Sequence, residues 1–341
     1  MGSNSTPQTA AKPIRCKAAV CRKAGEPLII EEIEVAPPSS WEIRIKIICT
    51  SLCQSDISLW KLSAGPLSAF PRILGHEAAG VVESVGENVE EVKEGDIVIP
   101  VFKRNCGECK DCKCQKGNAC SKFLVEYPCG MPRDGSSRFK GKNGETLHHT
   151  LRVSSFSEYT VVDVTHIVKM SPNFPIDKAS LLSCGVSTGL GAAWKVAEIE
   201  GGSTVAIFGL GAVGLAVIKE MSDGGADYCF ECIGLTSLMQ EAFNSSRKET
   251  GKTIILGVEM HGTPLSINPL ELVMTGKTII GSMFGGVKAK VDIPIFATKY
   301  LNNELNLEGF ITHEVNFEDI NKAFVLLQER KSLRCIIWMD K

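Results

Sequence analysis

Four cysteines, Cys106, Cys109, Cys112 and Cys120, fall within a fifteen-residue stretch. At these spacings their thiolates can close tetrahedrally on one Zn²⁺, giving a structural site with no open position. A disulfide cluster or an iron–sulfur site would draw on the same residues, and Cys114 is the odd one out. A second set is dispersed: Cys53 in Cys53-Gln54-Ser55-Asp56, His76 in Gly75-His76-Glu77, and Cys184 at the head of Cys184-Gly185-Val186-Ser187-Thr188-Gly189. Each alone is ordinary. Together, two thiolates and one imidazole neutralise a Zn²⁺ and leave its fourth position free for water or an alcohol.

A third feature binds rather than reacts. Thr204-Val205-Ala206-Ile207-Phe208 runs into Gly209-Leu210-Gly211-Ala212-Val213-Gly214, a G-x-G-x-x-G fingerprint between a strand pattern and a helix pattern. Gly209 permits the tight turn, Gly211 lets a pyrophosphate approach the backbone, and Gly214 lets the helix pack close on the sheet. The helix N-terminus then offers unpaired N–H groups and the positive end of its dipole to the phosphates.

The elements that must carry these residues are of two kinds. From Ile14 to about Val101, short strands at Cys16–Val20, Glu42–Ile47, Gly80–Gly86 and Gly95–Pro100 suggest a compact β-barrel-like unit. Glu42–Ile47 has period-two alternation. Phe156–Val162 is a further strand, and Lys178–Ala197 reads as helical with an interruption at Cys184-Gly185. Beyond the fingerprint, Asp227–Ile233, Thr253–Val258 and Thr278–Phe284 read as strands, with a helix around Met239–Phe243 between the first two. Phe317–Gln328 is an amphipathic helix. We therefore expect an α/β fold in which 1–185 and 284–341 carry both cysteine sets and 186–283 form the dinucleotide-binding domain.

Composition narrows the function. A formal charge of -2, with 44% hydrophobic and 22% charged residues, is an ordinary globular mixture and argues against nucleic acid as a partner. Lys and Arg cluster near 103–122, but without an accompanying aromatic ladder they read as a solvated face. The longest uncharged run, Gly201–Ile218, contains five glycines and a turn, which excludes a membrane span. Fourteen cysteines are too few for a disulfide scaffold, and with no secretory signal a reducing cytosol is the expected location. Residues 1–13 read as unstructured. Met1-Gly2-Ser3-Asn4-Ser5-Thr6 fits the loose myristoylation pattern, which more often arises by accident.

The chain resembles the zinc-containing medium-chain alcohol dehydrogenases, most closely the plant alcohol dehydrogenase-like members, from about Ile14 to Met339. The resemblance rests on Gly75-His76-Glu77-Ala78-Ala79-Gly80, the four-cysteine loop, Cys184–Gly189, the glycine fingerprint and Phe284-Gly285-Gly286. It implies a GroES-like catalytic domain joined to a Rossmann-type coenzyme domain, two Zn²⁺ per chain, NAD as cofactor and a homodimer. It also implies that Cys53, His76 and Cys184 hold the catalytic zinc, with Glu77 behind the metal, and that Cys106, Cys109, Cys112 and Cys120 hold the structural zinc. Asp56 matches the carboxylate that orients the histidine, and Ser55 the hydroxyl that takes the alcohol proton. Thr188 and Val213 match contacts on the nicotinamide, Arg334 a pyrophosphate contact, and Phe102 a lining residue of the substrate pocket.

Three departures stand out. Ser58 occupies the place of a proton-passing histidine, and Gln54 that of a basic residue that meets the cofactor phosphate. By comparison with the family, roughly 40 to 50 residues are missing between about Val217 and Lys219, far more than a loop-length difference. These would hold the second and third strands of the nucleotide fold. With the order 3-2-1-4-5-6, their loss exposes strand 1 as an edge and removes the adenosine side of the crevice. A direct step from strand 1 to strand 4 also conflicts with right-handed crossover, so the domain is expected to be strained or rearranged. In one such rearrangement Tyr228–Ile233 takes the place of strand 2, and Glu231 binds the ribose.

The expected function is hydride transfer between a primary alcohol or aldehyde and NAD. The alternative is a catalytically impaired zinc-binding isoform that acts as an inactive dimer partner. A glutathione-dependent formaldehyde dehydrogenase is less favoured, because no basic residue is evidently placed for the glutathione carboxylate.

Overall fold

The computed structural model describes residues 12–123, 126–209, 225–260 and 262–340. They fall into two compact units, one comprising Met1–Cys184 with Lys288–Lys341 and the other Gly185–Val287.

The first unit is built on two largely antiparallel sheets. Its strands are β1 (Ile14–Cys21), β2 (Ile29–Val35), β3 (Glu42–Ser51), β4 (Arg72–Ile73), β5 (Glu77–Val85), β6 (Ile97–Pro100), β7 (Phe139–Gly141), β8 (Thr146–Leu147), β9 (Tyr159–Asp163) and β10 (Ile167–Lys169). One sheet has the order β4-β1-β2-β7-β8. The other is barrel-like, and β3 is its hub, pairing antiparallel with β5 and β9. Ile43, Ile45 and Ile47 are fully buried in the core, with Val82, Val98, Phe156, Val161 and Phe324. Each such side chain contributes about 1.5–3 kcal/mol relative to exposure.

The alternation in β3 does not place its charged residues in water. Because β3 is covered on both edges and faces, Glu42 and Arg44 are buried too. They are tolerated because each has an ionic partner: Arg138 Nε lies 2.8 Å from Glu42 Oε2, and Arg44 Nε lies 2.6 Å from Glu83 Oε2.

The second unit holds β11 (Val205–Phe208), β12 (Tyr228–Glu231), β13 (Lys252–Ile255) and β14 (Thr278–Gly281) in a parallel sheet of order β11-β12-β13-β14. The short runs Val-Ala-Ile-Phe and Lys-Thr-Ile-Ile have the apolar, β-branched character of a covered parallel sheet. Among the described residues the sheet has four strands and β11 is at one end, which agrees with a coenzyme domain lacking two strands. β12 lies between β11 and β13. A Tyr228–Ile233 segment in the place of strand 2, with the later strands in their usual places, would instead put β11 between them. That rearrangement is corrected.

Two other elements differ from expectation. Lys178–Ala197 is not one helix: Ile176–Leu182 and Gly185–Gly191 are α-helical and Ala192–Ala197 is a π-helix. The last strand stops at Gly281 rather than continuing to Phe284. Phe284, Gly285 and Gly286 all have positive φ, at 54°, 61° and 68°. A Cβ on Gly285 would sit 2.4 Å from the Thr188 carbonyl oxygen, so this turn needs glycine to pack on the Thr188 helix.

The chain returns to the first unit through the helix Ala289–Leu301, β15 (Ile311–Asn316), the helix Ile320–Gln328 and β16 (Arg334–Trp338). β15 pairs parallel with β16, and β16 pairs antiparallel with β3. Among the described residues no helix is long and apolar enough to cross a membrane.

Candidate metal centres

Strand register assembles the dispersed set. β3 and β5 pair so that Ser51 faces Glu77. Cys53, two residues past Ser51, and His76, one before Glu77, therefore emerge at the same end of the sheet. β16 pairs with β3 so that Ile336 faces Ser51; carried two residues further, the register brings Arg334 opposite Cys53. The helix Ile176–Leu182 packs on β3 and β5 and delivers Cys184 just beyond its end.

The outcome is four buried side chains, Cys53, His76, Glu77 and Cys184, each with a ligand atom within 4.8 Å of the others. Asp56 fixes two of them. Its Oδ1 lies 2.9 Å from His76 Nδ1 and accepts from the Gly75 N–H at 3.1 Å, while its Oδ2 accepts from the Cys53 N–H at 3.1 Å. A carboxylate accepts only, so Nδ1 carries a proton; against burial, Asp56 and Cys53 hold the His76 pKa well above the usual range, and a metal binding at Nε2 would displace the second proton. That Nε2 is buried with no hydrogen-bond partner, as a metal-binding imidazole would be. The hydrogen bond to Cys184 outweighs burial and, with the Arg334 charge, holds Cys53 well below the usual thiol range. The same pairing pushes Cys184 well above it. One thiolate is thus favoured even before a metal draws off the second proton. The donor set fits zinc.

Glu77 does not stand alone behind this group. Arg334 Nε lies 2.8 Å from Glu77 Oε2 and Nη2 lies 2.9 Å from Oε1, a bidentate pair. Ser51 Oγ donates to Oε2 at 2.7 Å, and Arg334 Nη2 lies 3.5 Å from Cys53 Sγ. Arg334 is only 5% exposed; its Nε and Nη2 engage Glu77 and the Cys53 sulfur and its Nη1 donates to the Leu333 carbonyl at 2.9 Å, where the resemblance implies a pyrophosphate contact. Sequence reasoning did not link Arg334 to Glu77; only the β16–β3 register brings them together.

The four-cysteine loop also closes. Cys106, Cys109, Cys112 and Cys120 place their sulfurs within 4.8 Å of one another. Cys106 Sγ and Cys112 Sγ are 3.8 Å apart, the separation expected of a tetrahedron with Zn–S of about 2.3 Å and far beyond a disulfide bond. All fourteen cysteines are free thiols. Backbone N–H groups of Cys112 and Ser121 work against burial to lower Cys109 to about 6.

The other candidates fall as follows. Ser55 lies in the first turn of the helix Gln54–Lys61, half exposed. Ser58 Oγ donates back to the Gln54 carbonyl at 3.1 Å, inside its own helix. The Phe102 ring stands edge-on to His76, with centroids 5.9 Å apart. Thr188 is in the helix Gly185–Gly191 of the second unit. Gly209 has φ of +104°, and a Cβ there would lie 2.6 Å from Ile233 Cγ1, so glycine is required at this turn. Gly211, Val213 and Gly214 lie outside the described residues.

Glu231 is corrected as a ribose ligand. It is fully buried, and its Oε1 accepts from the Ile233 and Gly234 N–H groups at 2.9 and 2.8 Å, holding the turn after β12. The basic cluster is also not free of aromatics. Trp41, distant in sequence, lies under Lys122 and Arg133, and Phe123 under Arg104 and Arg133, at 5.1 to 5.5 Å.

Comparison with known proteins agrees with this architecture. Residues 39–172 match the alcohol dehydrogenase GroES-like domain, and residues 213–322 match the zinc-binding dehydrogenase family. Alcohol dehydrogenase-like 1 of Arabidopsis thaliana is 56% identical, over 97% of this chain and 97% of its own length. Alcohol dehydrogenase class-3 of Oryza sativa subsp. japonica is 43% identical, over 98% of this chain and 99% of its own. The former alignment runs over 378 positions, more than the 341 residues here, so the relative has residues that this chain lacks. A crystal structure of an alcohol dehydrogenase zinc-binding domain protein from Burkholderia ambifaria superposes with a TM-score of 0.86 at 25% identity, covering 97% of this chain and 100% of its own. The chain belongs to the zinc-containing medium-chain alcohol dehydrogenase family, a family of oxidoreductases.

Proposed function

We propose that the protein interconverts a primary alcohol and its aldehyde with NAD as hydride carrier, holding one zinc at Cys53, His76 and Cys184 and a second at the four-cysteine loop. The observation that carries this reading is the convergence of those three ligand atoms, with His76 Nε2 buried and unpartnered. Zinc held there would polarise the alcohol oxygen and lower its pKa. Asp56 keeps the proton on His76 Nδ1 so that Nε2 faces inward, and Ser55 is the proposed acceptor of the alcohol proton. Glu77, neutralised by Arg334, sits behind the thiolates without adding an uncompensated negative charge. Gly209, Gly211, Val213, Gly214 and Thr188 are proposed to hold the coenzyme.

A second reading, a zinc-holding but catalytically impaired chain, is favoured by one observation. Among the described residues β11 is at the end of the sheet, and Glu231 Oε1 is turned into the turn after β12. NADH fluorescence titration of the zinc-loaded protein separates the two. Saturable binding at physiological coenzyme concentration supports the dehydrogenase; its absence leaves the impaired isoform.

We further propose a homodimer in the cytosol. Support for the dimer comes from the helix Pro269–Thr275, whose residues are all unburied, with Val273 77% and Met274 76% exposed. Support for a reducing compartment comes from fourteen free thiols.

A further inference from the structure

A cavity of about 190 Å³ in the first unit is lined by Phe102, Lys103, Arg104, Glu126, Arg152 and His166, among others. Its charge is one-sided. Arg104 and Arg152 both turn a guanidinium Nη2 onto the single carboxylate of Glu126. Lys103 makes no hydrogen bond or ion pair among the described residues, and burial with the neighbouring Arg104 charge lowers its pKa. Three cations thus face one carboxylate and the sulfur of Cys120, which also lines the cavity and belongs to the four-cysteine loop, in a space partly shielded from water where an entering oxyanion would be favoured.

Two polar atoms in the same wall are stranded. Arg152 Nε and His166 Nε2 are buried without a hydrogen-bond partner. His166 is 1% exposed, and its Nδ1 lies 2.9 Å from the Val101 carbonyl oxygen. Nδ1 therefore carries the proton, and Nε2 is a free acceptor suited to a ligand hydroxyl or an ordered water. Arg152 Nε is a free donor suited to an oxygen anion. The cavity wants both at once. Phe102 links this wall to the metal centre, since the same ring lines the cavity and stands edge-on to His76.

We propose that this cavity is an oxyanion site beside the catalytic centre, with Lys103 and Arg152 as its charged donors and His166 Nε2 accepting from an ordered water or from the hydroxyl of a hydrogen phosphate. The oxyanion is either the carboxylate of an anionic alcohol substrate or a free phosphate. The substrate version rests on the dehydrogenase reading above; the site itself does not.

The test is calorimetric titration of the zinc-loaded protein with inorganic phosphate and, separately, with ω-hydroxyhexanoate, in the wild type and in Lys103→Met, Arg152→Leu and the surface control Lys61→Met. Saturable binding weakened at least tenfold in Lys103→Met and unchanged in Lys61→Met is expected; Arg152→Leu should agree if it folds. If Lys103→Met also lowers kcat/KM for ω-hydroxyhexanoate at least tenfold and leaves hexanol unchanged, the substrate carboxylate is the occupant. If phosphate binding responds to Lys103→Met while neither alcohol is oxidised, the oxyanion site stands and the dehydrogenase reading fails. No saturable binding of either ligand, or binding indifferent to Lys103→Met, overturns the proposal.

Discussion

Arg334 and Glu77 form a buried bidentate ion pair whose guanidinium also reaches Cys53 Sγ at 3.5 Å. β16 therefore holds the Glu77 carboxylate of β5 and the sulfur of Cys53, two residues past β3. Desolvation raises the Glu77 pKa, and the Arg334 charge works against it. Removing one partner leaves the other buried and uncompensated, which costs about 3–5 kcal/mol. Arg334→Met should lose that much stability by urea unfolding, and Glu77→Gln in the same chain should restore most of it. Additive losses would mean that the pair is not the coupling element.

Asp56 meets His76 and Cys53 at once. Asp56→Asn keeps the shape but removes the charge and can present an N–H to Nδ1, which disfavours the tautomer that leaves Nε2 open. Affinity for the zinc assigned to Cys53, His76 and Cys184 should fall about 10–100-fold, read by chelator competition. The zinc assigned to the four-cysteine loop should be unaffected.

Cys112→Ser tests that loop by itself. Cys112 is one of its two buried corners, with Cys120, and lies 3.8 Å from Cys106. Metal analysis should drop from two zinc ions per chain to one, with a lowered Tm. Retention of both ions would contradict the tetrahedral assignment.

Two buried histidines predict the acid limb of stability. Burial lowers His149 to about 3, and burial likewise lowers His166 to about 4, whereas an unfolded histidine titrates near 6.5. Below that value the unfolded chain binds protons that the folded chain does not, so stability is full above about pH 6.5. It then falls as pH drops toward 4, by up to about 1.4 kcal/mol per pH unit for each histidine. Urea unfolding at pH 7.5 and 5 measures the difference, and His149→Phe should flatten it. An unchanged slope would contradict the burial argument.

The four-cysteine loop and the glycine turn were legible in the sequence because each depends on residue type and spacing, whereas the dispersed Cys53, His76 and Cys184 were assigned together through the family resemblance. What escaped was fixed by register. Arg334 lies 257 positions from Glu77 and reaches it only because β16 pairs with β3. The alternation of Glu42–Ile47 does not reveal that Glu42 and Arg44 are buried, because it ignores the strands that cover both sides of β3. Glu231 had a plausible sequence offset for a ribose acid, but offset does not reveal that its carboxylate is used by the two N–H groups that follow it. The basic cluster at 103–122 read as a solvated face because Arg152 and His166, which line the cavity with Lys103, come from later in the chain. Glu231→Gln should accordingly leave NADH affinity within about twofold while lowering stability by about 1 kcal/mol; a large loss of NADH binding would return Glu231 to the ribose.

The central claim is that this chain turns over. The direct measurement is NAD⁺ reduction followed by absorbance, with a series of primary alcohols, comparing the zinc-loaded wild type with Cys53→Ser and His76→Ala. Steady turnover that both substitutions and zinc removal abolish is expected. Two zinc ions bound with no NADH formed on any alcohol would contradict it.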